Sequence, residues 1–157
     1  MMRPLALPLG IFAALLTVFG PACASEVPYA VTISGRPLDA RHPGARDRSG
    51  RLFINLVRAV RAFNGLLTFG PLETRVTVSG HTIVYHVGKA IAEEDDESQP
   101  LLAAPFIENG DTFVPLSSFA DFVSAAVTID RDRHRVDLSP GKDASVVPRH
   151  GRPKLRS

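Results

Sequence analysis

Cysteine occurs once, at Cys23, tryptophan not at all, and tyrosine only at Tyr29 and Tyr85. A single cysteine excludes an internal disulfide framework and any metal site built from several thiolates. No Gly-rich phosphate loop and no G-x-S-x-G elbow occur, so the usual sequence signs of nucleotide binding and of serine hydrolysis are missing. Long apolar runs are also scarce. The one at Leu5 to Phe19 falls short of the roughly twenty residues that a membrane-spanning helix needs. Net charge is only +2 over 157 residues, so no strong overall field points to nucleic acid.

What is present fits a globular chain. The length suffices for one domain with its own core and not for two large ones. Residues 1–24 read as a targeting segment: Arg3 supplies the positive start, the apolar run follows, and Ala22-Cys23-Ala24 gives small residues at an A-x-A cleavage site. Gly20-Pro21-Ala22 lacks the aliphatic residue that a lipobox carries before its cysteine, so cleavage after Ala24, not lipidation of Cys23, is the expectation. The mature chain would begin at Ser25 and contain no cysteine. Its expected location is outside the cytoplasm: periplasmic, secreted or at the cell surface.

The best-defined stretch runs from Pro105 to Leu138. A strand enters a turn at Asn109-Gly110, where both residues tolerate positive φ, and a short strand continues to Val114. After Pro115 the apolar period lengthens, with Leu116, Phe119, Ala120 and Val123 at helical spacing. Val127 and Ile129, then Val136 and Leu138, restore strand alternation around the charged turn Asp130 to Arg133. Phe119 and Val123 are expected to pack on Val127, Val136 and Leu138.

Two internal matches extend this unit. Val31-Thr32-Ile33-Ser34-Gly35 recurs as Val76-Thr77-Val78-Ser79-Gly80. Ser49 to Val78 aligns without a gap on Asn109 to Leu138, with Gly50/Gly110, Phe53/Phe113, Leu56/Leu116 and Val76/Val136 among the identical pairs. The chain therefore reads as two degenerate strand–helix–hairpin copies in an α+β fold, an antiparallel sheet with two short helices. The first helix is expected from Asn55 to Asn64, with Leu56, Val60 and Phe63 on one face, Phe63 doing there what Phe119 does in the second copy. His81 to Val87 reads as a strand between the copies. Ala92 to Pro100, with five consecutive acidic residues from Glu93 to Glu97, reads as a solvated loop.

Pro105-Phe106-Ile107-Glu108-Asn109-Gly110 and Phe113-Val114-Pro115-Leu116, followed by an amphipathic helix and a hairpin rich in valine, resemble the copper amine oxidase N-terminal (stalk) domain. Val127-Thr128-Ile129-Asp130 is similar to that family's closing hairpin. Asn55 stands where the first copy would carry proline, and Ser124 where the helix would end in glycine. The resemblance covers residues 25–138 and implies an antiparallel sheet packed against helices, used as a non-catalytic module on exported proteins. It does not imply amine oxidation, because the tyrosine precursor of topaquinone and the copper-binding histidines belong to a separate domain of that enzyme. Neither Tyr29 nor Tyr85 has the Asn-Tyr-[Asp/Glu]-Tyr setting.

The remaining polar groups suggest no site. His81 and His86 lie five apart on one strand and should face opposite ways. His134 sits between Arg133 and Arg135, and His42 and His150 fall in loops rich in proline and glycine. Glu93 to Glu97 lacks the alternation and the glycine of a calcium loop. Ser117 and Ser118 at a helix start are read as capping residues, and Asp121 and Asp130 as exposed. No catalytic, cofactor-binding or metal-ligating residue is expected, and no cofactor. Residues 139–157 carry five basic residues against Asp143, a charge of +4, whereas 25–138 carry twelve against fifteen, or −3. That tail is expected to be disordered. The functional expectation is an exported, non-catalytic module that binds an envelope protein or polymer, or acts as a spacer. It needs no nucleic acid and no transmembrane segment once the leader is removed. The alternative is a small envelope hydrolase whose groups converge only in three dimensions.

Overall fold

A computed structural model describes residues 26–39 and 42–141. The leader expected at 1–24 and the basic tail from Lys142 onward lie outside the described residues. The chain opens with β1 (Val27–Ile33), the short β2 (Arg36–Pro37), β3 (Ala45–Arg48) and β4 (Arg51–Asn55), which runs directly into helix α1 (Leu56–Ala62). Then follow β5 (Leu66–Phe69), β6 (Glu73–Val78), β7 (His81–His86), β8 (Ile91–Glu94) and β9 (Glu97–Pro100). The last part comprises β10 (Phe106–Glu108), β11 (Asp111–Pro115), α2 (Leu116–Phe122), β12 (Ala125–Asp130) and β13 (Arg135–Pro140).

These strands form two sheets, which with the two helices give the α+β class. The larger runs β10-β11-β4-β3-β1-β13-β12 with β2 beside β1, and the smaller runs β5-β6-β7-β8-β9. Most neighbours are antiparallel, as expected, but β1 and β13 are parallel, with Val31 opposite Val136 and Ile33 opposite Leu138. The chain's first and last described strands are thereby joined, and β13 continues through Ser139 and Pro140 beyond the expected domain limit at Leu138.

Turn chemistry sets the hairpins. Asn109 (φ 51°) and Gly110 (φ 83°) both adopt the left-handed conformation, and so do Ser49 (φ 57°) with Gly50 (φ 78°) and Ser79 (φ 52°) with Gly80 (φ 86°). Paired positive φ values match the natural twist of a two-residue hairpin. Gly65 is required for another reason. A Cβ there would lie 2.7 Å from methyl groups of both Val60 and Val78, so α1 and β6 meet across this glycine.

One core joins helices and sheets. Leu56, Ala59 and Val60 of α1 and Leu116, Phe119, Ala120 and Phe122 of α2 are buried, together with Ile54, Val76, Tyr85, Val114, Val136 and Leu138. Phe119 and Val123 are buried as expected, and Val127 packs against the same cluster. Phe63 is only half-buried, with its ring edge-on to Phe119 at 5.7 Å, so it flanks the core instead of filling it.

The two stretches aligned in sequence hold like elements at like positions. β11 and α2 begin at 111 and 116, each 60 residues after β4 and α1 at 51 and 56. At their junction β4 and β11 pair antiparallel, Ile54 opposite Val114, with Phe53 opposite Pro115 and Asn55 opposite Phe113 on either side. The helix ends differ from the expectation. α1 stops at Ala62 and α2 at Phe122, and Asn64 (φ 55°) and Ser124 (φ 52°) then turn the chain left-handed. Ser124 thus does without glycine what Asn64 does in the first stretch.

Candidate binding surface

The histidines are dispersed. His81 and His86 begin and end β7, about 16 Å apart at the usual strand rise. His81 Nδ1 lies 2.8 Å from Asp95, whereas His86 lies 3.3 Å from Glu93 and 4.0 Å from Glu73. Hydrogen bonding to His81 and to the Thr82 amide holds the Asp95 carboxyl below its ordinary pKa. His134 adopts φ 47° in the β12–β13 turn and sets its ring edge-on against Tyr29 at 5.2 Å. His42 lies 3.4 Å from Asp39, and His150 lies outside the described residues. Among the described residues no group of three or more histidine, cysteine, aspartate or glutamate side chains is arranged to hold a metal ion.

The acidic run is not a loop. Glu93 and Glu94 end β8, Glu97 begins β9, and Asp95 (φ 49°) and Asp96 (φ 69°) make the turn between them. Aspartate accepts the left-handed region more readily than most residues. The Asp95 carboxylate also accepts the Thr82 amide at 2.8 Å, tying the turn to β7. Once β7 offers an edge, that template outweighs the poor strand propensity of glutamate.

The two serines are not caps. Pro115 occupies the N-cap of α2 and makes no side-chain bond, while Ser118 Oγ lies 3.3 Å from the buried Tyr85 hydroxyl. Burial pushes the Tyr85 phenol above its ordinary range, and the Ser118 contact acts against that rise. Ser117 and Asp121 are exposed. Asp130 is half-buried and accepts the Arg133 amide at 2.9 Å, closing its turn. The cap that does form was not anticipated: Asn55 Oδ1 accepts the Arg58 amide at 3.2 Å at the start of α1. An asparagine just before a helical apolar period was a sufficient signal for it.

A charged cluster also escaped the sequence. Arg46 lies 2.8 Å from Glu108 and 3.4 Å from Glu26, with its guanidinium over the Phe113 ring. Arg48 reaches Glu26 and covers Phe106, which is edge-on to Phe53 and stacked on Phe113. Residues far apart in sequence meet there only because β10, β11, β4 and β3 are neighbours. Beside it, two open depressions share Arg51 and Ala103. One, of about 280 Å³, runs between β12, the start of β4 and the β11–α2 junction, and the other, of about 400 Å³, lies along Arg48, Phe53 and Phe106. A third, of about 430 Å³, borders His86, Leu72 and Lys89.

A profile of the copper amine oxidase N-terminal domain matches residues 32–138, spanning both stretches and every strand and helix from β2 to β12. The chain belongs to the copper amine oxidase N-terminal domain family. Neither a curated protein nor a solved structure matches it. In amine oxidases this N-terminal domain is non-catalytic. The family's pattern at Asn109-Gly110 and Phe113-Val114-Pro115-Leu116 is here a hairpin turn, an inner strand and the first turn of α2. No helix among the described residues of this family member is long and apolar enough to cross a membrane.

Proposed function

We propose that the chain is an exported, non-catalytic module that binds a protein or polymer of the cell envelope, or spaces other parts from it. The observation that carries this reading is the family match over 32–138, because this domain performs no chemistry in the enzymes that give the family its name. The reading of residues 1–24 as a cleaved leader supports the location. Two degenerate copies of one strand–helix–hairpin unit are part of the proposal, supported by the offset of 60 that relates β4–α1 to β11–α2 and by the like turns at Ser49-Gly50 and Asn109-Gly110.

The test has two parts. Mass spectrometry of the protein recovered outside the cytoplasm should find Ser25 at its N-terminus, and an intact Met1 form confined to the cytoplasm would contradict export. Immobilised protein from Ser25 onward should then retain one or more components of an envelope extract in a saturable way. Retention of nothing, together with turnover of an envelope substrate, would replace this reading with that of an enzyme.

A further inference from the structure

The larger sheet ends in β12, which among the described residues pairs only with β13 and leaves its other edge free. Across the 280 Å³ cleft stands a second free edge. Arg51 and Leu52 of β4 pair with β3, but β11 reaches only to Phe53, so among the described residues their other side has no strand beside it. Val127, Ile129 and Arg131 all line the cleft. Val127 and Ile129 alternate along β12 and so share one of its faces, and Arg131, the first residue of the turn that follows the strand, sets a cation at the end of that apolar pair. Leu52, Leu102 and Leu116 supply the apolar walls, with Leu102 74 % exposed. The charged groups in the lining are Arg51 and Arg131, with no carboxylate among them, and the adjoining depression adds Arg48. Arg131 is already 3.3 Å from Asp47 and Arg48 is 3.4 Å from Glu26, which leaves Arg51 as the cation facing the cleft without such a neighbour among the described residues.

We propose that this cleft binds an extended peptide as an added strand on β12, the peptide carrying apolar, apolar and acidic side chains at alternate positions. The inference rests on the reading of the chain as a binding module. Strand addition draws affinity from main-chain bonds to a free edge and specificity from alternate side chains. Side chains directly opposite in a sheet share a face, so the partner's apolar residues meet Val127 and Ile129, and its carboxylate, carried just past the end of β12, meets Arg131 and Arg51. The shape agrees: a cleft of about 280 Å³ is at the lower limit for enclosing a small molecule but is ample for two aliphatic side chains on a passing chain. The β5 edge is more apolar, with Leu66 and Phe69 exposed, yet it offers no charge that would select a partner.

The test uses short, soluble, fluorescent peptides in which valine, valine and glutamate alternate with serine, made in both chain directions. One of the two should bind the mature protein saturably. Affinity should fall about tenfold or more, roughly 1.4 kcal/mol, when lysine replaces the glutamate or when the glutamate moves to the neighbouring, opposite-facing position. Arg51→Glu, an exposed change, should cause the same loss, and amide exchange in β12 should slow on binding. Equal binding of the lysine peptide, protection at β5 in place of β12, or no saturable binding at millimolar peptide would each overturn the proposal. So would protection of β12 by self-association of the free protein, which would make a second copy the occupant. Envelope capture that survives Arg51→Glu would overturn this cleft alone. Peptide binding without any envelope capture would overturn only the wider reading.

Discussion

Phe119 is fully buried where α2 lies on the sheets, and its ring meets Phe63 at the contact between the two halves of the chain. Removing most of such a side chain forfeits transfer energy and leaves a cavity, so Phe119→Ala should destabilise the domain by about 3–5 kcal/mol. The urea midpoint of the mature protein would measure it. An unchanged midpoint would mean that Phe119 is not in the core. Asp137 gives a second prediction at this scale. It lies opposite Thr32 in the parallel β1–β13 pair, and the Thr32 hydroxyl, then the Ser139 hydroxyl and the Gly35 amide, hold its pKa below the ordinary value. A carboxylate with a lowered folded pKa stabilises fully above its unfolded value, near pH 4, and loses that contribution as pH falls through the folded value. Asp95, bonded to His81 and Thr82, works in the same direction. Urea midpoints should therefore fall on acidification below about pH 4. In Asp137→Asn part of that dependence should vanish, and an equally steep fall in the variant would remove Asp137 from the account.

The elements differ in how they begin. α1 starts from Asn55, 1 % exposed and bonded to the Arg58 amide, whereas α2 starts from Pro115 with no side-chain cap. Asn55→Ala should cost about 1 kcal/mol through the lost cap, read from the same denaturation curves, and a neutral outcome would show that β4 alone sets the helix start. Much of this level was legible in advance. Asn109-Gly110, the helical spacing from Leu116 to Val123 and the alternation through Leu138 are local signals, and local signals fix turns and periods. The β8–β9 hairpin was not legible, because Glu93 to Glu97 has no strand preference of its own and becomes a hairpin by pairing with β7. The parallel partnership of β1 with β13 is likewise a long-range choice. Its sequence trace, Val-Thr-Ile-Ser-Gly at 31–35, matches β6 instead of pointing to β13. The cleft is illegible for the same reason: Arg51, Leu102 and Val127 belong to separate segments that only the folded chain brings together.

At the scale of the whole molecule, the β4–β11 junction ties the two stretches into one body. α1 packs on β11 and α2 on β4, each helix covering the strand of the other stretch as well as its own. Neither stretch would keep its core if separated. Among the described residues this architecture leaves the β12 edge open and keeps the histidines and tyrosines in separate surroundings. His81 lies beside Asp95 and His86 beside Glu93 and Glu73, and Tyr29 and Tyr85 are both buried in the core. Copper would need several imidazoles converging within about 2 Å of one point, and an amine oxidase would also need its precursor tyrosine beside that metal. The most direct measurement of the non-catalytic claim is to load the mature protein with copper, dialyse it, and assay retained metal together with peroxide released from a primary amine. Neither stoichiometric copper nor peroxide is expected. One copper retained per chain with amine oxidation, both lost in the His81→Ala and His86→Ala double variant, would contradict that claim.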